Sequence, residues 1–136
     1  MAVLLDSSVL IEAERRYYPL SRIVALANDD EPMAIPALAV SEMLLGVYLS
    51  RPSTRRAYRE DFIERIIDKF DILSFELSAA RLYARVWADL RRAGNVIAPH
   101  DLLIGATALV HGYDVLTDNV RDFERIPGLK VRLPGW

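Results

Sequence analysis

Five apolar or alternating runs of strand length, separated by segments of helix length, constrain this chain more than any other feature. The runs are Ala2–Leu5, Met33–Ile35, Asp71–Leu73, Asp114–Thr117 and Leu129–Leu133. Short apolar strands alternating with helices predict an α/β fold with a central, mainly parallel sheet of four to five short strands. The first helix starts near Val9, capped by Ser7 or Ser8, and the second runs from Leu20 to Asn28. Pro36 opens a third at its first helical position, and this helix, apolar nearly all round as far as Leu49, is expected to be buried. Ser53 caps a fourth to about Asp68, with Tyr58, Phe62, Ile66 and Phe70 along one side. Ser78–Arg92 carries Leu82, Tyr83, Val86, Trp87 and Leu90 on one face, which places Trp87 in the core. Gly94-Asn95 stops it, Pro99 restarts a helix to His111, and Val120–Arg125 forms a last helical turn.

At 136 residues the chain reads as a single domain, 1–136. With 52% hydrophobic and 26% charged residues it has ordinary globular composition, which excludes disorder. It has no cysteine, which removes disulfides, thiolate zinc sites and thiol nucleophiles. A net charge of −2 excludes a uniformly basic nucleic-acid coat, though not local basic patches. Met1–Leu5 meets Asp6 too soon and lacks the basic flank of a signal peptide, and Pro32–Ser50 is broken by Glu42 and two prolines. The expectation is a cytoplasmic protein without a membrane span.

Acidic residues fall where core is expected. Asp6 is the only charged side chain between Met1 and Ile11, Glu42 the only one between Pro32 and Ser50, and Asp101 the only one between Ala93 and Tyr113 with the histidines neutral. An ionised carboxylate in apolar surroundings is costly unless paired, hydrogen-bonded or metal-bound. Asp6 at a strand-to-helix turn and Asp101 in a first helical turn have local reasons to be there; Glu42, mid-helix, has none. In an open parallel sheet functional groups gather beyond the carboxyl ends of the strands. Asp6 and Asp118 each follow a strand directly, so Glu42 and Asp101 need only lean over the same edge to complete a four-carboxylate cluster. Oxygen-only ligands select hard cations, Mg²⁺ with Mn²⁺ able to substitute, and such ions activate water against a phosphodiester.

These segments resemble a known family. Leu4-Leu5-Asp6-Ser7-Ser8-Val9-Leu10-Ile11, Val40-Ser41-Glu42, Pro99-His100-Asp101-Leu102-Leu103-Ile104-Gly105-Ala106-Thr107-Ala108 and Leu116-Thr117-Asp118-Asn119-Val120-Arg121-Asp122-Phe123 look like the signature of PIN-domain ribonucleases. More narrowly they resemble the VapC-type toxins of prokaryotic type II toxin–antitoxin pairs. The resemblance implies a three-layer α/β/α sandwich and a Mg²⁺- or Mn²⁺-dependent endoribonuclease that hydrolyses RNA with a metal-activated water. It also implies a homodimer silenced by a small cognate antitoxin. Asp6 and Asp101 match the family's main metal ligands, Glu42 its third acid, and Ser8 a supporting hydroxyl. Many members place the fourth acid at the position of Asn119. Asp118 and Asp122 lie to either side, and Asp118, nearest the strand end, is the favoured substitute.

Fifteen of the 17 basic residues are arginine. Arg15, Arg16 and Arg121 lie nearest the acidic segments and are candidate RNA contacts. The Arg51/Arg55/Arg56/Arg59 group reads instead as a solvated face pairing with Glu60, Asp61 and Glu64. Tyr17, Tyr18 and Trp136 could stack on bases, His100 reads as a helix-start residue, and Gly46 and Gly105 as close-packing positions. Three competing classes remain: a catalytically inactive interaction domain of the same fold, a receiver-type phosphoacceptor and a haloacid-dehalogenase-like phosphatase. The receiver would want an acid pair near the first strand and a lysine near the last strand's end. The phosphatase would want an aspartate where Ser8 stands.

Overall fold

The computed structural model describes residues 1–136. In chain order the elements are β1 (Val3–Leu5), α1 (Ser7–Arg15), α2 (Leu20–Val24), β2 (Met33–Pro36), α3 (Ala37–Leu49) and α4 (Thr54–Lys69). There follow β3 (Asp71–Leu73), α5 (Leu77–Arg92), α6 (Pro99–His111), β4 (Asp114–Leu116), α7 (Val120–Phe123) and β5 (Val131–Arg132). The five strands form one parallel sheet in the order β3-β2-β1-β4-β5. A receiver-type domain orders its strands 2-1-3-4-5, so that alternative is excluded.

The pleat sorts the core into two layers. Val3, Leu5, Ile35 and Leu116 point to one side, where Leu10, Met43, Phe62 and Ile66 cover them. Leu4, Ala34 and Val115 point to the other, against Val86, Ile104, Phe123 and Ile126. The sheet is therefore the middle of a three-layer α/β/α sandwich. Its first half winds β1 to β2 to β3 outward; the chain then crosses back through α5 and α6 and lays β4 against the other side of β1. The reversal leaves a crevice between the carboxyl ends of β1 and β4, the place where doubly wound sheets bind ligands.

Several local expectations are corrected. Pro36 closes β2 with extended backbone (φ −70°, ψ 141°) rather than opening a helix. Its ring φ suits either state, and it pairs only with Leu73 on the β3 side, so its missing N–H costs no bond to β1. The α2 helix ends at Val24 because Leu26 and Ala27 donate back three residues, to Ile23 and Val24, tightening the chain into a turn. Neither Ser7 nor Ser8 caps α1; Asp6 takes the N-cap position and both hydroxyls turn to carboxylates. Ser53 does cap α4, accepting from the Arg56 N–H at 3.0 Å. Only Ala39, Met43 and Val47 of α3 are buried, while Leu45, Tyr48 and Leu49 are 57%, 66% and 78% exposed, so this helix keeps an apolar face in solvent. Trp87 is likewise outside the core, 41% exposed and stacked edge-on to Tyr83. Gly105 is a close-packing position, where a Cβ would collide with Ile126, but Gly46 faces open space. No helix is long and apolar enough to cross a membrane.

Candidate metal and nuclease centre

Asp6 follows β1 at the crevice and is 3% exposed. Its Oδ2 accepts hydrogen bonds from Ser8 Oγ and Thr117 Oγ1, both at 2.8 Å. Thr117 Oγ1 also accepts the Asn119 N–H at 2.9 Å, and Ser8 Oγ accepts the Asp118 N–H at 3.1 Å. Two hydroxyls thus lock the β1 and β4 ends together around one carboxylate. Thr117 was not among the sequence candidates, although a hydroxyl one residue past an apolar strand is the available signal.

Glu42 reaches the same edge from α3, where Ser7 Oγ donates to its Oε2 at 3.2 Å. Its Oε1 is buried without a hydrogen-bond partner, and His100 Nδ1 stands 3.6 Å away. Burial first, and then the field of Asp6, hold the Glu42 carboxyl above its ordinary range. Asp101, in the first turn of α6, is pushed up to about 6 by burial and by the fields of Asp6, Asp122 and Glu42, in that order. Asn119 Nδ2 donates to Asp101 Oδ2 at 2.8 Å and to Asp122 Oδ2 at 3.1 Å, bridging the two.

The structure therefore brings Asp6, Glu42 and Asp101 into one electrostatic cluster and sets Asp122, through Asn119, beside Asp101. The Asp118 carboxyl is raised by burial and then by Glu12 and Asp6, opposed by Arg16, and it lines a neighbouring cleft with Glu12 and Arg16. Of the two acids that flank Asn119, Asp122 lies beside Asp101, through the shared Asn119 amide, and Asp118 lies in the field of Asp6. Arg16 is bound to Glu12 at 2.6 Å, Arg15 lies 3.6 Å from Glu12, and Arg121 is exposed on α7. In the middle arginine group, Arg56 pairs with Glu60 as expected, but Arg55 and Arg59 both turn to the buried Glu14 of α1.

The donor set is all oxygen, with one imidazole at the margin, which suits a hard cation. No three acidic or histidine side chains converge tightly enough to enclose an ion as they stand. A hard cation that keeps several of its waters needs only one or two such carboxylates. The unpartnered Glu42 Oε1 and the raised Asp101 both mark charge that the protein alone leaves unbalanced.

A pH dependence follows for the metal-free protein. Because the folded state holds the Asp101 proton up to about pH 6 while the unfolded chain releases it near pH 4, stability falls as pH rises from about 4 to 6 and is level above that. After discounting for solvent screening, wild type should lose about 1–2 kcal/mol relative to Asp101→Asn as pH rises from 4 to 7. Urea melts of both proteins in EDTA measure the difference; parallel pH profiles would contradict the clustering.

A parallel five-stranded sheet with acids gathered at its switch point defines a class of carboxylate-bearing α/β domain. The PIN domain family's sequence model matches residues 3–129, and the chain belongs to that family. It is 35% identical over 131 residues to ribonuclease VapC1 of Rickettsia felis, covering 96% of this chain and 95% of that one. It is 33% identical over 100 residues to the tRNA(fMet)-specific endonuclease VapC of Salmonella typhimurium, covering 73% of each. Among solved structures, the DNA-bound VapBC complex from Salmonella typhimurium aligns with a TM-score of 0.84 and 25% identity, covering 98% of both chains.

Proposed function

We propose that this chain is a metal-dependent endoribonuclease and the toxin of a VapBC-type pair. The observation that carries the reading is the convergence of Asp6, Glu42 and Asp101, from three separate segments, at the sheet's switch point, where their mutual fields and burial lift Asp101 to about 6. Relatives named as ribonucleases support the reaction, and a tRNA-specific one supports structured RNA as the substrate class.

Asp6 and Asp101 would hold Mg²⁺, with Mn²⁺ able to substitute, and Glu42 and Asp122 would complete the acidic ring. When bound, the ion supplies Lewis-acid stabilisation of the phosphate and a low-pKa water. Ser8 and Thr117 fix Asp6 by donating to one oxygen, which leaves Oδ1 free to face the ion. Ser7 does the same for Glu42. Asn119 donates to both the Asp101 and Asp122 carboxylates and so offsets part of their mutual repulsion. Attack by water, rather than by the ribose 2′-OH, needs no histidine or lysine base at this edge. Incubation with a structured RNA tests the reading: cleavage should require Mg²⁺ or Mn²⁺ and stop in EDTA. Cleavage that persists in EDTA would contradict it.

A cognate antitoxin is the expected partner, as in the VapBC complexes this chain resembles. A cleft of about 90 Å³ between α1, α3 and α4 is lined by Ile11, Met43, Gly46, Phe62 and Ile63 together with Glu14, Glu42 and Arg59. An apolar antitoxin side chain seated there would bring a neighbouring arginine near the acidic edge, where it would compete with metal by charge. The exposed Leu45, Tyr48 and Leu49 form a further apolar face suited to a homodimer. Light scattering should return a dimer that Tyr48→Glu with Leu49→Glu converts to monomer; a wild-type monomer at high concentration contradicts this assignment.

A further inference from the structure

Beside the acidic edge, α1, the Asp118 turn and the segment Leu133–Trp136 border an open cleft of about 390 Å³. That is within the ~300–1,000 Å³ of small-ligand sites. It is tied to the proposed centre through one side chain, since Ser8 Oγ accepts the Asp118 N–H and donates to Asp6. Leu133, Pro134 and Trp136 supply its apolar lining, and Glu12, Arg16 and Asp118 its charged lining.

Arg16 is held in place. Its Nε donates to Glu12 at 2.6 Å and its Nη1 to Tyr18 Oη at 2.9 Å, which leaves Nη2 without a partner. The Tyr18 ring is clamped in turn by Arg22, whose guanidinium lies 3.8 Å from its centroid, and by the edge of Trp136 at 5.0 Å. Asp118 uses its backbone N–H on Ser8, and its carboxylate accepts no hydrogen bond within the chain. A held cationic donor and a free carboxylate therefore share the cleft with apolar side chains.

We infer that this cleft is a nucleobase subsite that reads guanine next to the cleaved phosphate. A phosphate is disfavoured there, because Glu12 and Asp118 both line the cleft and repel it. A base edge suits it, since single-stranded RNA is read on its Watson–Crick edge with the ring laid on an apolar surface. Guanine presents an acceptor at O6 followed by donors at N1 and N2, which match Arg16 Nη2 and the two oxygens of Asp118. Adenine and cytosine turn an amino donor toward the guanidinium and a ring acceptor toward the carboxylate. Uracil matches the first two positions but sets O2 against the second carboxylate oxygen. The inference rests on the ribonuclease reading for its biological meaning and on the cleft alone for its binding.

Titration of ¹⁵N-labelled protein with 5′-GMP, AMP, CMP and UMP in EDTA tests it. The indole N–H of Trp136, buried without an acceptor in the free protein, reports on the cleft, and that of Trp87 reports on the fold elsewhere. GMP should shift the Trp136 signal at concentrations about tenfold lower than the other three. Arg16→Ala and Asp118→Asn should each weaken GMP about tenfold with the Trp87 signal unmoved. Equal response to all four nucleotides, or GMP binding unaltered in both variants, overturns the assignment. Cleavage of RNAs differing in the base beside the cut separates the two claims. GMP binding without any RNA cleavage sinks the ribonuclease reading alone; cleavage without GMP binding or guanine preference sinks the subsite alone.

Discussion

Asp101→Asn should lower RNA cleavage by about 10²-fold or more while leaving the protein folded, and in metal-free buffer at pH 7 somewhat more stable. The rate loss follows from removing one of the charges that hold the cation, by the size of comparable electrostatic losses. The stability gain follows from the same cause with opposite sign. Asp101 is pushed up to about 6 because burial and three neighbouring acids oppose its charge, so replacing it with a neutral isostere relieves the repulsion. Asn119 Nδ2 loses its charged acceptor but keeps Asp122, so the β4–α7 turn stays anchored. Single-turnover cleavage and thermal melts on the same preparation measure both. A variant that is slow only because it is unfolded, or one that cuts at the wild-type rate, would contradict the role proposed for Asp101.

Arg132→Ala should cost about 3 kcal/mol of stability with no direct effect on the acidic edge. Arg132, on β5, donates from Nη1 and Nη2 to the two Glu31 oxygens at 2.9 and 2.7 Å and from Nε and Nη2 to Asp114 Oδ2 at 3.0 and 2.8 Å. Those carboxylates are only 4% and 13% exposed, so truncation leaves both without their cation, Glu31 keeping only the Asn28 N–H at 3.3 Å. The loss is largest above the ordinary glutamate range, where both acids are ionised. Arg132 also holds Glu31 below that range by hydrogen bonding, and the stability this pair contributes fades as pH falls through the lowered Glu31 value. Chemical denaturation at pH 7 and at pH 4 should show the wild-type advantage shrinking in acid. An advantage that is small at both pH values would show that solvent already compensates the pair.

The alternation of strands and helices was readable because each strand is a short apolar run bounded by polar turns, and the three isolated acids were readable because nothing around them was charged. What pattern could not supply was direction. Which acid stands beside Asp101 depends on how the chain turns after Thr117, and the four-residue helix there puts Asp122 within reach of the Asn119 amide that also holds Asp101. Ser7 and Ser8 sit where caps belong, yet their hydroxyls serve Glu42 and Asp6, because those carboxylates come from elsewhere in the fold. Trp87 and the outer face of α3 have core-like spacing but stay in solvent, since periodicity counts apolar residues without counting what covers them. Glu14 shows the converse. It lies in a charged stretch, yet it is buried as the partner of Arg55 and Arg59, which come from a different helix.

The most direct test of metal-assisted hydrolysis at this edge is the chemistry of the cut ends. A defined RNA should be cleaved by wild type in Mg²⁺ and its fragments mapped at both termini. Water attack at the Asp6–Glu42–Asp101 cluster predicts a 5′ phosphate and a free 3′ hydroxyl, whereas a 2′,3′-cyclic phosphate would mean that the ribose hydroxyl, and not water, had attacked.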